Sequence, residues 1–157
     1  MTRRTTSATL ALMVFLTVTG LANTVVAQPL NKENFHEYLD ALENVDAEAL
    51  TARFYHEQFK ISQGDSTMDL AGLLEFEKSL KSLADFHFDV RQIVADESGI
   101  AIDAIETFDV LHDGNIPNIG PARRGERWAL HLNVFYSLRD GRISEIKANV
   151  LSVTKLE

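Results

Sequence analysis

The spacing of hydrophobic residues changes once along the chain, near residue 84, and this change limits the folds that the chain can adopt. Apolar residues in the stretch 35–42 recur at i, i+3, i+4 and i+7, which is the pattern of one helical face. In the stretch 86–94 they alternate with polar residues, which is the period of a half-buried strand. Helices followed by mostly antiparallel strands predict an α+β fold with helices packed on one face of a curved sheet.

Three helices are expected before the change of period. Asn31 can cap the first and Asp46 the second, because short polar side chains accept hydrogen bonds from the free amides of a helix start. The stretch 58–62, QFKIS, is compatible with a short strand, and the stretch 63–69, QGDSTMD, is typical of a loop. A third helix is expected from about Asp69 to residue 84.

The strands are expected to follow in two pairs. Residues 86–94 and 99–111 form the first pair, and residues 128–138 and 143–151 form a closing hairpin with its turn at Arg139–Gly141. Between the pairs, residues 112–127 hold two prolines and three glycines, which is too irregular for a strand. A connection of this length predicts a functional or mobile segment.

The first 27 residues have the composition of a secretory signal peptide. Arg3 and Arg4 precede an apolar core at residues 10–22, and small residues lead to an expected cleavage after Ala27. A membrane anchor is the alternative, but this core is shorter than the roughly 20 residues that a spanning helix needs. We therefore expect a signal peptide at 1–27, one domain at 28–157, and a periplasmic or secreted protein.

The charge and the absence of cysteine exclude several classes of function. A formal net charge of −8 argues against nucleic acid and anionic membrane surfaces as partners, since phosphate binding needs clustered lysine and arginine. With no cysteine, the chain has no disulfide, no thiol nucleophile and no lipoprotein anchor. The five histidines are scattered without metal-binding spacing, so neither a metal nor a cofactor is expected.

Three phrases, in their order and spacing, resemble a known family. FHEYLDALENVDAEALTARFYHE, GLLEFEKSLKSL and YSLRDGRISEIKA are similar to the first two helices, the third helix and the closing hairpin of the SnoaL-like branch of nuclear-transport-factor-2-like proteins. The resemblance covers about residues 31–152. It implies a cone-like sheet wrapped around the helices, with a central pocket. Members include ketosteroid isomerases, polyketide cyclases, dehydratases, epoxide hydrolases and binding domains, so the fold alone does not choose the function.

The isomerases of this family allow a comparison by position. Their first-helix tyrosine, an oxyanion donor, corresponds to Tyr38, which stands eight residues before Asp46. Their aspartate base corresponds to Ser62, which cannot act as a carboxylate. Their second donor, eight residues before the hairpin glycine Gly141, corresponds to Asn133. The resemblance therefore argues against steroid isomerisation by that mechanism.

The strand that contains Asn133 can face the core in two ways. The match of Asn133 to the second oxyanion donor of the isomerases favours one orientation, in which alternate residues of the strand face the pocket. These residues are Ala129, His131, Asn133, Phe135 and Ser137. The other row would then face outward and need a cover, most simply a second copy of the chain; it comprises Leu130, Leu132, Val134 and Tyr136. In the alternative register, the leucines and Val134 form the core while His131 and Asn133 face water.

The candidate chemistry depends on that choice. His131 is the first candidate for general acid–base catalysis, because its ordinary pKa suits proton transfer near neutrality. Glu106 is the second, since it is in phase with the apolar residues of its strand. The candidate ligand-binding residues are Tyr38, Asn133, Phe135 and Trp128. The simpler alternatives are packing for Tyr38 and Trp128, and surface exposure for His131 and Glu106.

Three functions remain open from the sequence. The first is an exported domain that binds a small, largely apolar molecule, as a homodimer through the sheet. The second is a cofactor-independent isomerase, cyclase or dehydratase that acts in the same pocket. The third is a protein-interaction module that uses the outer face of the sheet.

Overall fold

The computed structural model describes residues 28–63 and 66–157, so the predicted signal peptide lies outside the described residues. These residues form three α-helices, α1 (Phe35–Glu43), α2 (Ala47–Ala49) and α3 (Leu70–Leu83). A π-helical segment at Leu50–Phe54 continues directly from α2. No helix in the described part of the chain is both long and apolar enough to span a bilayer.

The helices begin where the sequence places polar caps. The Asp46 carboxylate accepts a hydrogen bond from the amide of Ala49 at 3.0 Å, and the Asp69 carboxylate accepts one from Gly72 at 2.9 Å. Each satisfies one amide that a helix start leaves without an intrahelical partner. Asn31 accepts from the amides of residues 33 and 34, and therefore stabilises the turn before α1 rather than the helix itself.

In the described part of the chain, eight strands form two sheets. They are β1 (Tyr55–Gln63), β2 (Ser66–Asp69), β3 (Ala84–Ala95), β4 (Gly99–Val110), β5 (Gly114–Ile116), β6 (Gly120–Ala122), β7 (Arg127–Arg139) and β8 (Arg142–Leu156). Six of them form one sheet in the order β2-β1-β8-β7-β4-β3, and β5 pairs with β6. All pairs are antiparallel except β1 with β8.

The predicted fold class is confirmed. The three helices cover one face of a curved, mostly antiparallel sheet that is not closed into a barrel. Register shifts interrupt β3 beside Val90 and the β7–β8 pair beside His131 and Ser137, and such bulges increase twist and bending. The result is a cone whose interior is filled by apolar side chains of α1, α3 and the inner sheet face.

Three local predictions are wrong. Residues 66–69 form β2 instead of a loop, and Ala84 begins β3 instead of ending α3. Residues 112–127 contain the short β5–β6 hairpin. In each case pairing with a neighbouring strand satisfies backbone groups, which a reading of single-segment periodicity cannot anticipate.

The closing hairpin turns at Asp140 and Gly141, whose φ angles of 52° and 71° are those of the tight two-residue turn favoured between twisted strands. The start of the described chain is attached here. The amide of Leu30 donates to the carbonyl oxygen of Gly141 at 2.8 Å, and Pro29 packs against the glycine.

Candidate ligand-binding cavity

The central strand β7 decides which side chains reach the interior. Its inner row is Leu130, Leu132, Val134 and Tyr136, each 2–4 % exposed. The favoured prediction, which turned His131, Asn133 and Phe135 toward the pocket, is therefore wrong, and the alternative register is correct. Burying a large apolar side chain contributes about 1.5–3 kcal/mol, so four such residues outweigh the polar row.

The residues predicted for the pocket lie on the outer face of the sheet instead. The Nε2 atom of His131 lies 3.0 Å from Oδ1 of Asp103, the acid that precedes Ala104 on β4. Asn133 pairs across the strands with the same Asp103, and Phe135 is 49 % exposed. None of these three side chains lines the interior cavity, so His131 is not a proton donor or acceptor for a molecule bound there.

An internal cavity of about 160 Å³ lies between α1, α3 and the inner face of the sheet. Most of its wall is aliphatic or aromatic, and the aromatic members are Tyr38, Tyr55, Phe76, Phe88, Phe108 and Tyr136. The turn between β5 and β6 also contributes to the lining, through Pro117 and Asn118. An apolar cavity of roughly 150 Å³ is large enough to hold benzene, so this one accepts at least a single ring.

Glu106 is a carboxyl in the otherwise apolar inner row of β4, between Ala104 and Phe108. Its side chain is partly buried and lines the cavity. Burial raises its pKa from 4.5 to about 8, and the negative charges of Glu77 and Glu43 add to the effect. This placement agrees with the phase predicted for Glu106; its role in catalysis stays a prediction.

Glu77 is a second carboxyl in the cavity wall, and it was not among the predicted site residues. It lies on α3, and burial raises its pKa from 4.5 to about 7. Its position does carry a signal, because it stands four residues after Leu73 and three before Leu80. A charged residue at those intervals lies on the inner face of an amphipathic helix.

Three tyrosines surround the same space. The hydroxyl oxygens of Tyr38 and Tyr55 are 3.1 Å apart and share a hydrogen bond, and the rings of Tyr38 and Tyr136 are 5.5 Å apart. Burial raises the pKa of all three hydroxyls above the usual value, so they remain protonated at physiological pH. Tyr38 thus both packs the helix face and lines the cavity, whereas Tyr55 and Tyr136 were missed as site residues.

Two other residues from the sequence analysis, Ser62 and Trp128, can be located relative to the cavity. Ser62 lines the cavity, so this chain has a hydroxyl at the position that corresponds to the aspartate base of the isomerases. Trp128 is half-buried outside the cavity wall. Its indole nitrogen donates to Glu126 at 3.3 Å, and the amine of Lys155 lies 5.6 Å from its ring centre. The prediction that Trp128 contacts a ligand in the pocket is therefore wrong, and its alternative as a packing residue agrees with these contacts.

The charged side chains that line the cavity are all acidic. Within residues 28–63 and 66–157, the charged side chains of its lining are Glu77 and Glu106, with no lysine, arginine or histidine. The described residues also contain no group of three or more histidine, aspartate or glutamate side chains arranged to hold a metal ion. The wall can thus exchange protons through two carboxyls and donate hydrogen bonds through tyrosine hydroxyls.

Comparisons with known proteins agree with this architecture. The family model of the SnoaL-like domain matches residues 35–146. A search of curated proteins found no match.

Solved structures with the same fold include three from bacteria. A SnoaL-like polyketide cyclase from Agrobacterium tumefaciens is 16% identical, with 74% of this chain and 87% of that chain covered and a TM-score of 0.61. TsrD from Streptomyces laurentii is 14% identical, with 76% and 86% covered and a TM-score of 0.62. An LEH-like epoxide hydrolase from M. tuberculosis is 15% identical, with 75% and 80% covered and a TM-score of 0.57. At these identities the likeness shows the fold alone.

Proposed function

Since the chain belongs to the family of SnoaL-like domains, we propose that it binds a small, largely apolar molecule in the central cavity. The observation that carries the proposal is the contrast within the wall. An apolar and aromatic surface surrounds two carboxyls and a few hydroxyls. Ligand pockets in proteins have this composition, with apolar walls for affinity and a few polar groups for orientation.

A cavity-blocking variant tests this function. Ala148 lines the cavity from β8 and is exposed at its edge, so Ala148→Phe should obstruct the space with little strain on the core. The neighbouring Asn149→Phe places the same side chain on the opposite face of the strand and serves as the matched control. A panel of one- and two-ring compounds, followed by NMR, should bind the control but not Ala148→Phe. Equal binding to both variants would rule out the cavity as the site.

A second candidate is a cofactor-independent enzyme of the isomerase, cyclase or dehydratase type. The specific observation in its favour is Glu106, whose pKa of about 8 lets it take up or release a proton near neutrality. The buried tyrosine hydroxyls would stabilise an oxyanion that forms beside it. The neighbours named as polyketide cyclase and epoxide hydrolase make such chemistry a reasonable hypothesis for this fold. Glu106→Gln should then abolish turnover while ligand affinity changes only slightly.

Export and self-association complete the proposal. Residues 1–27 carry the signal-peptide pattern, so protein recovered from the periplasm or medium should begin at Gln28, as intact mass would report.

An apolar row of Val94, Ala101 and Phe135 crosses β3, β4 and β7 on the outer face. We propose that a second copy covers this row. Light scattering should find a dimer that Phe135→Glu converts to monomer; a wild-type monomer would leave the outer face to a different partner protein.

A further inference from the structure

The two carboxyls of the cavity lie on different walls, and no described side chain forms an ion pair with either of them. Glu77 comes from α3 and Glu106 from β4. Burial raises the pKa of both carboxyls, and the negative charges of Glu77 and Glu43 raise that of Glu106 further. Neither carboxyl accepts a hydrogen bond from the described residues. Both side chains are partly buried, and among the described residues no fully buried side-chain oxygen lacks a partner, so their carboxyl oxygens keep some accessible surface. An ionised carboxylate in such an apolar wall is costly unless a bound group pairs with it.

The third acid near this space is different, because its carboxylate is already engaged. Glu43 on α1 accepts from the amide of Phe88 at 2.7 Å and contacts Nδ1 of His87 at 2.9 Å. It therefore contributes negative potential to the cavity without needing a further partner. Its contrast with Glu77 and Glu106 identifies those two carboxyls as the groups that a ligand would have to satisfy.

The remaining wall favours positive over negative charge. Six aromatic rings line the cavity, and the negative face of an aromatic ring attracts a cation. No basic side chain among the described lining residues could hold an anion. Once Glu77 and Glu106 lose their protons, a carboxylate or phosphate ligand would meet two charges of its own sign, whereas an ammonium group would pair with both.

We infer that the cavity takes a small aromatic or alicyclic amine, bound as its ammonium ion against Glu77 and Glu106 with its ring among the aromatic side chains. This inference rests on the proposed function and names the chemical class of the ligand. The ammonium group supplies the hydrogen bonds and the charge that the two carboxyls lack, and the hydroxyls of Tyr38 and Ser62 are further polar groups of the same wall.

Amine binding should then depend on pH. The groups that face Glu106 are Glu77 from α3, Glu43 from α1 and the hydroxyl of Tyr136 from β7, and none of them is cationic. The free cavity holds protons on its carboxyls near neutrality, and a bound cation displaces them. Affinity for an amine should therefore rise from pH 6 to pH 8.5, by at least about tenfold if one proton is released over a single pH unit of that range. Affinity for a neutral ligand should not rise.

The test compares ligands of one shape and three charges. Calorimetry at pH 6 and pH 8.5 would measure 2-phenylethylamine, 2-phenylethanol and 3-phenylpropionate, together with the corresponding naphthyl compounds. We expect the amine to bind at least about tenfold more tightly than the alcohol at pH 8.5, with the acid weakest. Glu106→Gln should remove that preference while alcohol binding is retained. The matched control is Glu57→Gln, which neutralises an exposed glutamate of β1 outside the cavity.

The outcomes separate the inference from the proposed function. Alcohol that binds as tightly as the amine at both pH values, with Ala148→Phe abolishing both, would overturn the amine inference and leave the cavity as a ligand site. A preference for the acid would overturn it as well. If no member of either series binds to the folded protein, the proposed function fails together with the inference. An amine preference that survives Glu106→Gln and Glu77→Gln would assign the cation to another site.

Discussion

Neutralising Glu106 should make the protein more stable at high pH. The carboxyl has a folded-state pKa of about 8 and an ordinary pKa of 4.5. A raised pKa in an acid means that the unfolded chain loses its proton first. The stability contributed by protonated Glu106 is therefore complete below pH 4.5 and is lost as the pH rises through 8. Glutamine keeps the shape of the side chain and cannot ionise.

The size of the effect follows from the two pKa values. A pKa difference of this size corresponds to about 5 kcal/mol in the free energy of unfolding once both states are ionised. Between pH 5 and pH 9, the difference between Glu106→Gln and the wild type should change by about 4 kcal/mol in favour of the variant. At pH 5 the folded carboxyl is protonated but the unfolded one is already partly ionised, so about 0.8 kcal/mol of this effect is present in addition to the exchange of a carboxylic acid for an amide.

Urea unfolding followed by the fluorescence of Trp128, the only tryptophan in the sequence, measures this change directly. The titration should be repeated at pH 5, 7 and 9, with Glu57→Gln as a control that is expected to stay within about 0.5 kcal/mol of the wild type. A constant difference between Glu106→Gln and the wild type across this range would refute the reasoning. It would mean that water or a counter-charge solvates the carboxyl in the folded state.

Three further changes test the register, the tyrosine pair and the hairpin turn. Leu132→Ala should cost about 2–5 kcal/mol of unfolding free energy and the exposed Phe135→Ala less than about 1 kcal/mol; the reverse order in urea titrations would contradict the register of β7. Tyr38→Phe removes the hydroxyl hydrogen bond of 3.1 Å and should cost about 1 kcal/mol in the same assay. Gly141→Ala should lower the melting temperature more than Gly125→Ala. Both have positive φ, but only at Gly141 would the new carbon lie 2.6 Å from a proline side chain, so equal losses would show that this contact is unimportant.

The fold was predictable because its signals are local and agree with one another. The helical period of residues 35–42, the aspartate caps and the Asp140–Gly141 turn each specify a piece of structure without reference to the rest of the chain. The elements that escaped prediction, β2 and the β5–β6 hairpin, are strands of three or four residues. Their backbone pairing is set by neighbours in space, and so few side chains cannot show a period.

The site was only partly predictable, because its side chains depend on a register that spacing alone did not fix. Counting eight positions back from Gly141 gave Asn133, and an offset of one residue moves a whole row to the other face of a strand. The pairing of β4 with β7 shows which residues of the two strands share a face of the sheet. Glu106 lies opposite Leu130, and His131 lies opposite Ile105.

Directly paired residues point to the same face of a sheet, so Glu106 and His131 cannot both reach the cavity in this pairing. The two proton-transfer candidates were therefore alternatives, and the inner row that holds the larger apolar side chains selects between them. The structure places Glu106 inside with Leu130, and leaves His131 outside with Asp103. A carboxyl kept in the more apolar row is held there at a cost in stability, which is the reason to look for the ligand's charge opposite Glu106 and Glu77 rather than beside His131.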